Sequence, residues 1–185
     1  MKVKATLFFF LIISSFMMTA QRMLLEDFAP TTQLNWRIVN DGVMGGISRS
    51  QMEVSPDGLG QFSGVVSLEN YGGFASTRAR LIEVPKENYT KVLIKIKGDG
   101  KNYSFRIRTN ANFDDVSYKQ DFVTNGKDWE EIELPLADFI PTWRGRQLCN
   151  VPKIAAPQIR QVGFLISDKQ EGAFTLLIDS ISLAD

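Results

Sequence analysis

Between Trp36 and Arg80 the sequence sets two glycine-rich turns, NDGVMGGIS (Asn40 to Ser48) and ENYGGFAS (Glu69 to Ser76), on either side of an alternating polar and apolar stretch. That alternation has the period of paired strands. Gly45-Gly46 and Gly72-Gly73 supply backbone conformations that a Cβ resists, and Asn40 and Asp41 stabilise turns by bonding their own backbone. Between the turns, Ile47 to Val54 and Gly60 to Leu68 read as two strands joined by Pro56-Asp57-Gly58, with Phe62, Gly64, Val66 and Leu68 on one face.

The remainder continues in the same idiom. Upstream, Leu34, Trp36 and Ile38 alternate with Asn35 and Arg37, and Gln21 to Gln33 reads as an edge strand or an ordered lead-in. Downstream, Phe74 to Ile82 puts Phe74, Ser76, Arg78 and Arg80 on one side and the small residues Ala75, Thr77 and Ala79, with Leu81, on the other. Further strands are expected at Lys91 to Lys97, Tyr103 to Thr109, Val116 to Val123, Trp129 to Leu134, Ile159 to Ile166 and Phe174 to Ser182. Gly98-Asp99-Gly100, Asn125-Gly126 and Asp168 to Gly172 read as hairpin turns between neighbours, Leu134 to Phe139 as one helical turn, and Thr142 to Pro157 as a long loop. The class that follows is all-β: an antiparallel β-sandwich of jelly-roll type.

The first 20 residues stand apart: Lys2 and Lys4, an apolar run of about 14 residues, then Thr19-Ala20, the pattern of a secretory signal peptide. The run is too short to span a membrane, and no later stretch of that kind occurs, so no transmembrane segment is expected after cleavage. Cleavage after Ala20 leaves residues 21–185 as a single exported domain, periplasmic or extracellular; Met18 is a poor fit to the cleavage pattern, which leaves a retained anchor as the alternative. With Lys2 and Lys4 removed, the net charge is minus two, which gives no reason to expect nucleic acid as a partner. The one cysteine, Cys149, has no internal mate and is expected to be buried and structural.

The chain contains no histidine, which removes Ser-His-Asp and Cys-His nucleophile systems and the commonest zinc ligand together. A carboxylate-pair enzyme remains permitted, but the acids fall mainly in turns, so the expectation is a non-enzyme without cofactor or metal. Asp114 and Asp115, adjacent in a strand context, point apart and make a poor calcium pair.

Binding chemistry is easier to place. Backbone amides around Gly45 and Gly46, with Asn40, Asp41 and Ser48, suit an anion or a sugar hydroxyl, or else simply tie a tight turn. Glu69, Asn70, Gly72 and Gly73 carry the same two readings. Arg106 and Arg108 lie on the strand face opposite Phe105 and Ile107, about 7 Å apart. Arg78 and Arg80 repeat the pattern. If the two strands share a sheet, four guanidiniums line one surface suited to carboxylate or phosphate; the alternative is a solvated face paired with Asp114, Asp115 and Asp121. Trp143 offers an aromatic platform for a sugar ring, or an anchor for its loop.

The ordered set formed by Trp36, NDGVMGGIS, VSLENYGGFASTR, KGDGKNY (Lys97 to Tyr103), WEEIELPLADF (Trp129 to Phe139), Arg144-Gly145 and VGFLISDKQEGAFTLLIDSI (Val162 to Ile181) resembles the complex I intermediate-associated protein family across the whole mature chain. The resemblance implies a galactose-binding-like jelly roll, a fold shared with many carbohydrate-binding modules, and, for mitochondrial members, assembly of NADH:ubiquinone oxidoreductase. The exported N-terminus departs from that setting. Two functions follow as expectations: a non-catalytic exported module recognising a glycan or anionic small molecule, or an assembly factor acting on a protein partner in a respiratory or envelope complex.

Overall fold

The computed structural model describes residues 21–110, 112 and 115–185; the expected signal peptide and Asp114 lie outside them. The strands of the described residues form two antiparallel sheets. The six-stranded sheet has the order β3 (Arg49–Val54), β4 (Gly60–Val66), β13 (Gly172–Ala184), β6 (Lys91–Lys97) and β9 (Glu130–Pro135), with β1 (Arg22–Glu26) also paired to β13. The seven-stranded sheet runs β11 (Arg146–Gln147), β10 (Ile140–Trp143), β8 (Ser117–Val123), β7 (Asn102–Arg108), β12 (Gln161–Ile166), β5 (Ala75–Arg80) and β2 (Trp36–Ile38). This is the antiparallel sandwich that the alternating pattern implies.

Alternation decides which side of each strand is buried. In β7, Tyr103, Phe105 and Ile107 enter the core; in β12, Val162, Phe164 and Ile166 do; in β5, the small residues Ala75, Thr77 and Ala79 are buried. In β13 the buried set is Phe174, Leu176 and Ile178, then Ile181 and Leu183, a change of parity that would put half the strand outside in. A bulge between Ile178 and Ser180 absorbs the extra residue and keeps both halves facing the core. Rings join the sheets in a continuous path, Trp36–Phe164–Phe122–Tyr103–Phe174–Phe62, with centroids 4.9 to 6.5 Å apart. Each fully buried ring contributes about 1.5–3 kcal/mol of transfer free energy, so this path is the main cohesive term between the layers.

Several turns differ from the sequence expectation in what they connect. Gly98-Asp99-Gly100 carries the chain from β6 to β7, Asn125-Gly126 from β8 to β9, and Asp168 to Gly172 from β12 to β13, each time between opposite sheets. Turn chemistry marks a reversal without naming the strand that is paired next. The first corner is held by Asp99, whose carboxylate accepts from the Tyr103 hydroxyl and the Thr175 amide, both at 3.0 Å. Gly126 nests against it: a Cβ there would lie 3.1 Å from the Gly100 nitrogen. Pro56-Asp57-Gly58 does close a hairpin, between β3 and β4. Leu136–Asp138 forms the expected single turn, a 3-10 one.

The region from Thr142 to Pro157 is more ordered than a loop, because β10 and β11 fold back on each other at Arg144-Gly145, both of which have left-handed backbone. Cys149 is exposed, contrary to the expectation of burial, because it follows this small hairpin before the chain turns inward at Ile154. Among the described residues no helix is long and apolar enough to cross a membrane.

The lead-in, residues 21–33, is β1 followed by a loop organised by Glu26. Its carboxylate is fully buried and accepts from the amides of Phe28 (2.7 Å) and Leu34 (2.8 Å) and from Trp36 Nε1 (2.9 Å). Leu34 therefore bonds an acid rather than a strand, and β2 begins only at Trp36. Glu26→Ala leaves three donors buried without an acceptor, at about 1–3 kcal/mol each. Urea denaturation should show a midpoint lowered by a stability loss of roughly 3 kcal/mol or more, with little change in m-value.

Candidate functional site

The two glycine-rich turns are crossovers at one end of the sandwich, β2 to β3 and β4 to β5, and both close on one side chain. Asp41 opens a 3-10 turn, Asp41–Met44, and its carboxylate is fully buried. It accepts from the Ser48 amide (3.0 Å), the Ser48 hydroxyl, the Gly73 amide (2.7 Å) and the Phe74 amide (3.3 Å). The amides available for an anion thus hold the chain's own. Gly46 and Gly72 are glycines for steric reasons, since a Cβ on either would come within 2.4 and 2.6 Å of the Asp41 carboxyl group. Gly45 ends the 3-10 turn with φ at 93°.

Asn40 ties the same place from the other side, its Oδ1 accepting from the Ser50 hydroxyl (2.7 Å) and the Ser76 amide (3.3 Å). Glu69 begins the short turn Glu69–Tyr71, in which Asn70 and Tyr71 both adopt left-handed backbone and Tyr71 stands 96% exposed.

The arginines lie elsewhere, on the outer face of the seven-stranded sheet, and pairing register aligns them. Arg37 (β2) opposes Arg78 (β5), Arg78 opposes Gly163 (β12), Gly163 opposes Arg106 (β7) and Arg106 opposes Lys119 (β8). A second row places Arg80, Gln161, Arg108, Ser117 and Thr142 side by side. Arg78, Arg80, Arg106 and Arg108 therefore share one face, as the strand patterns anticipated if the strands shared a sheet. Arg37, Lys119 and Gly163 complete it. Their alternation was visible in the sequence, but the strand order that brings them into line was not.

Electrostatics on this face are unusual. Burial, then the nearby charges of Arg108 and Arg37, lower the Arg78 guanidinium to about 10; burial, then Arg108 and Arg78, lower Arg106 to about 10. Arg106 donates from Nη2 to the Ser117 hydroxyl, which lies 3.1 Å from the Thr142 hydroxyl. Its buried Nε has no hydrogen-bond partner. Arg108 donates to the Asp115 carbonyl at 2.6 Å. In the adjacent row, the Asp121 carboxylate is engaged by Lys119 (2.8 Å) and the Ser104 hydroxyl. The Asp115 carboxylate takes the Asn110 side chain and the Val116 amide, and among the described residues no group of three or more acids or thiols is placed to hold a metal.

At the β2 edge the upper row runs into an open recess of about 570 Å³, lined by Arg37, Arg78, Asn40, Gly42, Val43 and Ser48 among others. The first glycine-rich turn is therefore one wall of a space floored by two arginines. Trp143 does not join them. Thr142 shares the arginine face through Ser117, so Trp143, the next residue of β10, projects to the other side, half exposed with the Arg144 guanidinium 4.7 Å above its ring.

The Asp41 clasp gives a pH signature. Burial acts to raise its carboxyl, but the Ser48 hydroxyl and the amides of Gly73, Phe74 and Ser48 outweigh burial and hold it below the ordinary 3.8. A depressed carboxylate contributes stability that is fully present above its unfolded value and is lost as pH falls through its folded one. Asp41→Asn should therefore be less stable at neutral pH by about 1–3 kcal/mol. In chemical denaturation the gap to the parent should narrow as pH falls below 3.8.

Comparison with known proteins fits this geometry. The model of the family complex I intermediate-associated protein 30 (CIA30) matches residues 26–178. The Drosophila melanogaster mitochondrial complex I intermediate-associated protein 30 is 24% identical over 177 residues, covering 84% of this chain and 60% of that protein. An uncharacterized protein of Schizosaccharomyces pombe is 28% identical over 167 residues, covering 80% and 76%. This chain thus spans 60% of the fly protein and 30% of the mouse mitochondrial complex I intermediate-associated protein 30. Among solved structures, the family 11 carbohydrate-binding module of Clostridium thermocellum Lic26A-Cel5E superposes with a TM-score of 0.67 at 18% identity, over 89% of this chain and 95% of that one. A family 29 carbohydrate-binding module gives 0.55 at 6% identity, over 90% and 86%. These likenesses establish the jelly-roll sandwich, and the family match the lineage: the chain belongs to the complex I intermediate-associated protein 30 family.

Proposed function

We propose that this chain is a non-catalytic, exported binding module that holds a glycan against the outer face of its seven-stranded sheet. The observation that carries the reading is the row Arg37, Arg78, Gly163, Arg106 and Lys119, which crosses five strands and ends in the recess beside Asn40 and Ser48. Cations, hydroxyls and amides set on a rigid sheet bind polar ligands well and need no rearrangement to do so. Support for a sugar comes from structural neighbours of the same fold, one of them a complex with a β-1,3-1,4-mixed-linked tetrasaccharide. Support for export comes from the first 20 residues of the sequence.

A second reading has its own observation. Val43, Met44, Ile47 and Tyr71 are exposed at 74, 61, 46 and 96%, and all sit on the turns that Asp41 locks together. A fixed apolar tip of this kind suits a protein partner, in keeping with the names of the family's mitochondrial relatives.

The two surfaces are separable. In affinity electrophoresis through a panel of soluble polysaccharides, Arg108→Ala should weaken retention by about tenfold while its thermal midpoint stays close to the parent's. Tyr71→Ala with Met44→Ala should leave retention intact. Retention by no polysaccharide, together with a defined envelope protein captured by the parent and lost in the Tyr71 variant, would favour the assembly reading instead.

A further inference from the structure

We infer that the chain associates with a second copy of itself through the free edge of β3, the two β3 strands lying antiparallel with Gln51 opposite Gln51; this is independent of what the arginine face holds. Among the described residues β3 pairs only with β4, so one of its sides is open. The β3–β4 turn fixes which residues face that side. The Ser55 amide donates to the Leu59 carbonyl at 2.8 Å, which makes Ser55 and Leu59 a hydrogen-bonded pair. Bonded and non-bonded pairs alternate along an antiparallel ladder, so Glu53, Gln51 and Arg49 bond to β4. Ser50, Met52 and Val54 therefore point their N–H and C=O groups out from the edge.

Open edges are ordinarily blunted, and the other edge strands here are. β2 has three residues and β11 two, β1 is broken by a register shift between Leu24 and Glu26, and β9 carries Glu130, Glu131 and Glu133 and ends at Pro135. β3 is six residues long, in unbroken register with β4 and without proline, and its two charges are of opposite sign.

Self-pairing must join edge-facing residues to edge-facing residues, and charge chooses among the registers that do. With Gln51 opposite Gln51, Ser50 meets the partner's Met52 and Met52 the partner's Ser50, and each pair exchanges two backbone hydrogen bonds. Arg49 then stands opposite the partner's Glu53, and Glu53 opposite the partner's Arg49. These are non-bonded positions, where facing side chains come closest, with Cα atoms about 4.5 Å apart. Both residues are exposed on the outer side of β3. Setting Ser50 opposite Ser50, or Met52 opposite Met52, leaves both charges without an opposite. Setting Met52 opposite Val54 brings the two Glu53 carboxylates face to face. The strand is thus complementary to itself in one register, as a two-fold contact requires. The axis through the Gln51 pair stands perpendicular to the sheet, so the two six-stranded sheets join into one and the two arginine faces look the same way.

Sedimentation of the full chain over a concentration series tests the contact. One strand edge is a small interface, so a monomer–dimer equilibrium with a dissociation constant on the order of 10–1000 µM is expected. Glu53→Arg, and separately Arg49→Glu, set like charges opposite each other and should each raise that constant by about tenfold or more. Mixed in equal amounts, these two variants should associate with each other, because every facing pair is then opposite in sign. The double variant R49E/E53R should dimerise like the parent. Restoration on mixing also shows that each variant is folded. Tyr71→Ala with Met44→Ala, outside β3, should leave the dimer intact. A chain that stays monomeric up to about 1 mM overturns the inference. So does a dimer that neither reversal weakens, a loss that mixing does not restore, or a dimer abolished by the Tyr71 and Met44 variant, which moves the contact to the apolar tip.

Discussion

Asp41 holds one end of this sandwich together. The β3–β4 hairpin belongs to the six-stranded sheet, yet it is suspended between β2 and β5 of the other sheet by two crossovers. Each crossover alone is a short, glycine-rich segment with high chain entropy. One carboxylate bonds the amides of Ser48 on the first and of Gly73 and Phe74 on the second, so neither can move without breaking bonds to the other. An acid buried this way is tolerable because its hydrogen bonds replace hydration almost completely. The steric demand follows directly: Gly46 and Gly72 must lack side chains because the carboxylate occupies the space.

Glu26 does the same for the opposite wall of β2, gathering two amides and an indole around a second buried carboxylate. The acids with the most structural consequence are thus inside and fully bonded. The most perturbed bases, Arg78 and Arg106, share the outer face of the seven-stranded sheet, lowered first by burial and then by neighbouring arginines. A formal charge balance near zero conceals this segregation.

What could be read in the sequence, and what could not, divides along the same line. Period-2 alternation located every strand from β3 to β9 and from β12 to β13 to within a few residues, whereas β10 fell where a helical turn and a long loop were expected; in β5 the side carrying Ala75, Thr77 and Ala79 is the one that faces the core. Pairing was not legible. Gly98-Asp99-Gly100 looks the same whether it returns the chain to its neighbour or passes it to the other sheet, because the turn residues satisfy local backbone only, while Asp99 chooses the destination through Thr175, 76 residues away. Arg78 and Arg106 could be placed on a face but not opposite each other, since Gly163 and β12 intervene only in three dimensions. Cys149 was misplaced because a residue-type average says nothing about which loop stays outside.

The clasp and the arginine face are not independent. Asn40 and Ser48, both bonded within the clasp, also wall the recess into which Arg37 and Arg78 open, so the end of the cationic row has a rigid boundary rather than a mobile loop. The same bonds hold Val43, Met44 and Tyr71 at the tip. The scaffold built around this buried acid therefore carries two surfaces, one cationic and broad, one apolar and pointed. Ser48 belongs to both the clasp and the cationic surface, donating to Asp41 through its amide and hydroxyl and lining the recess beside Arg37 and Arg78. Fold and family alone do not decide which of the two surfaces is used.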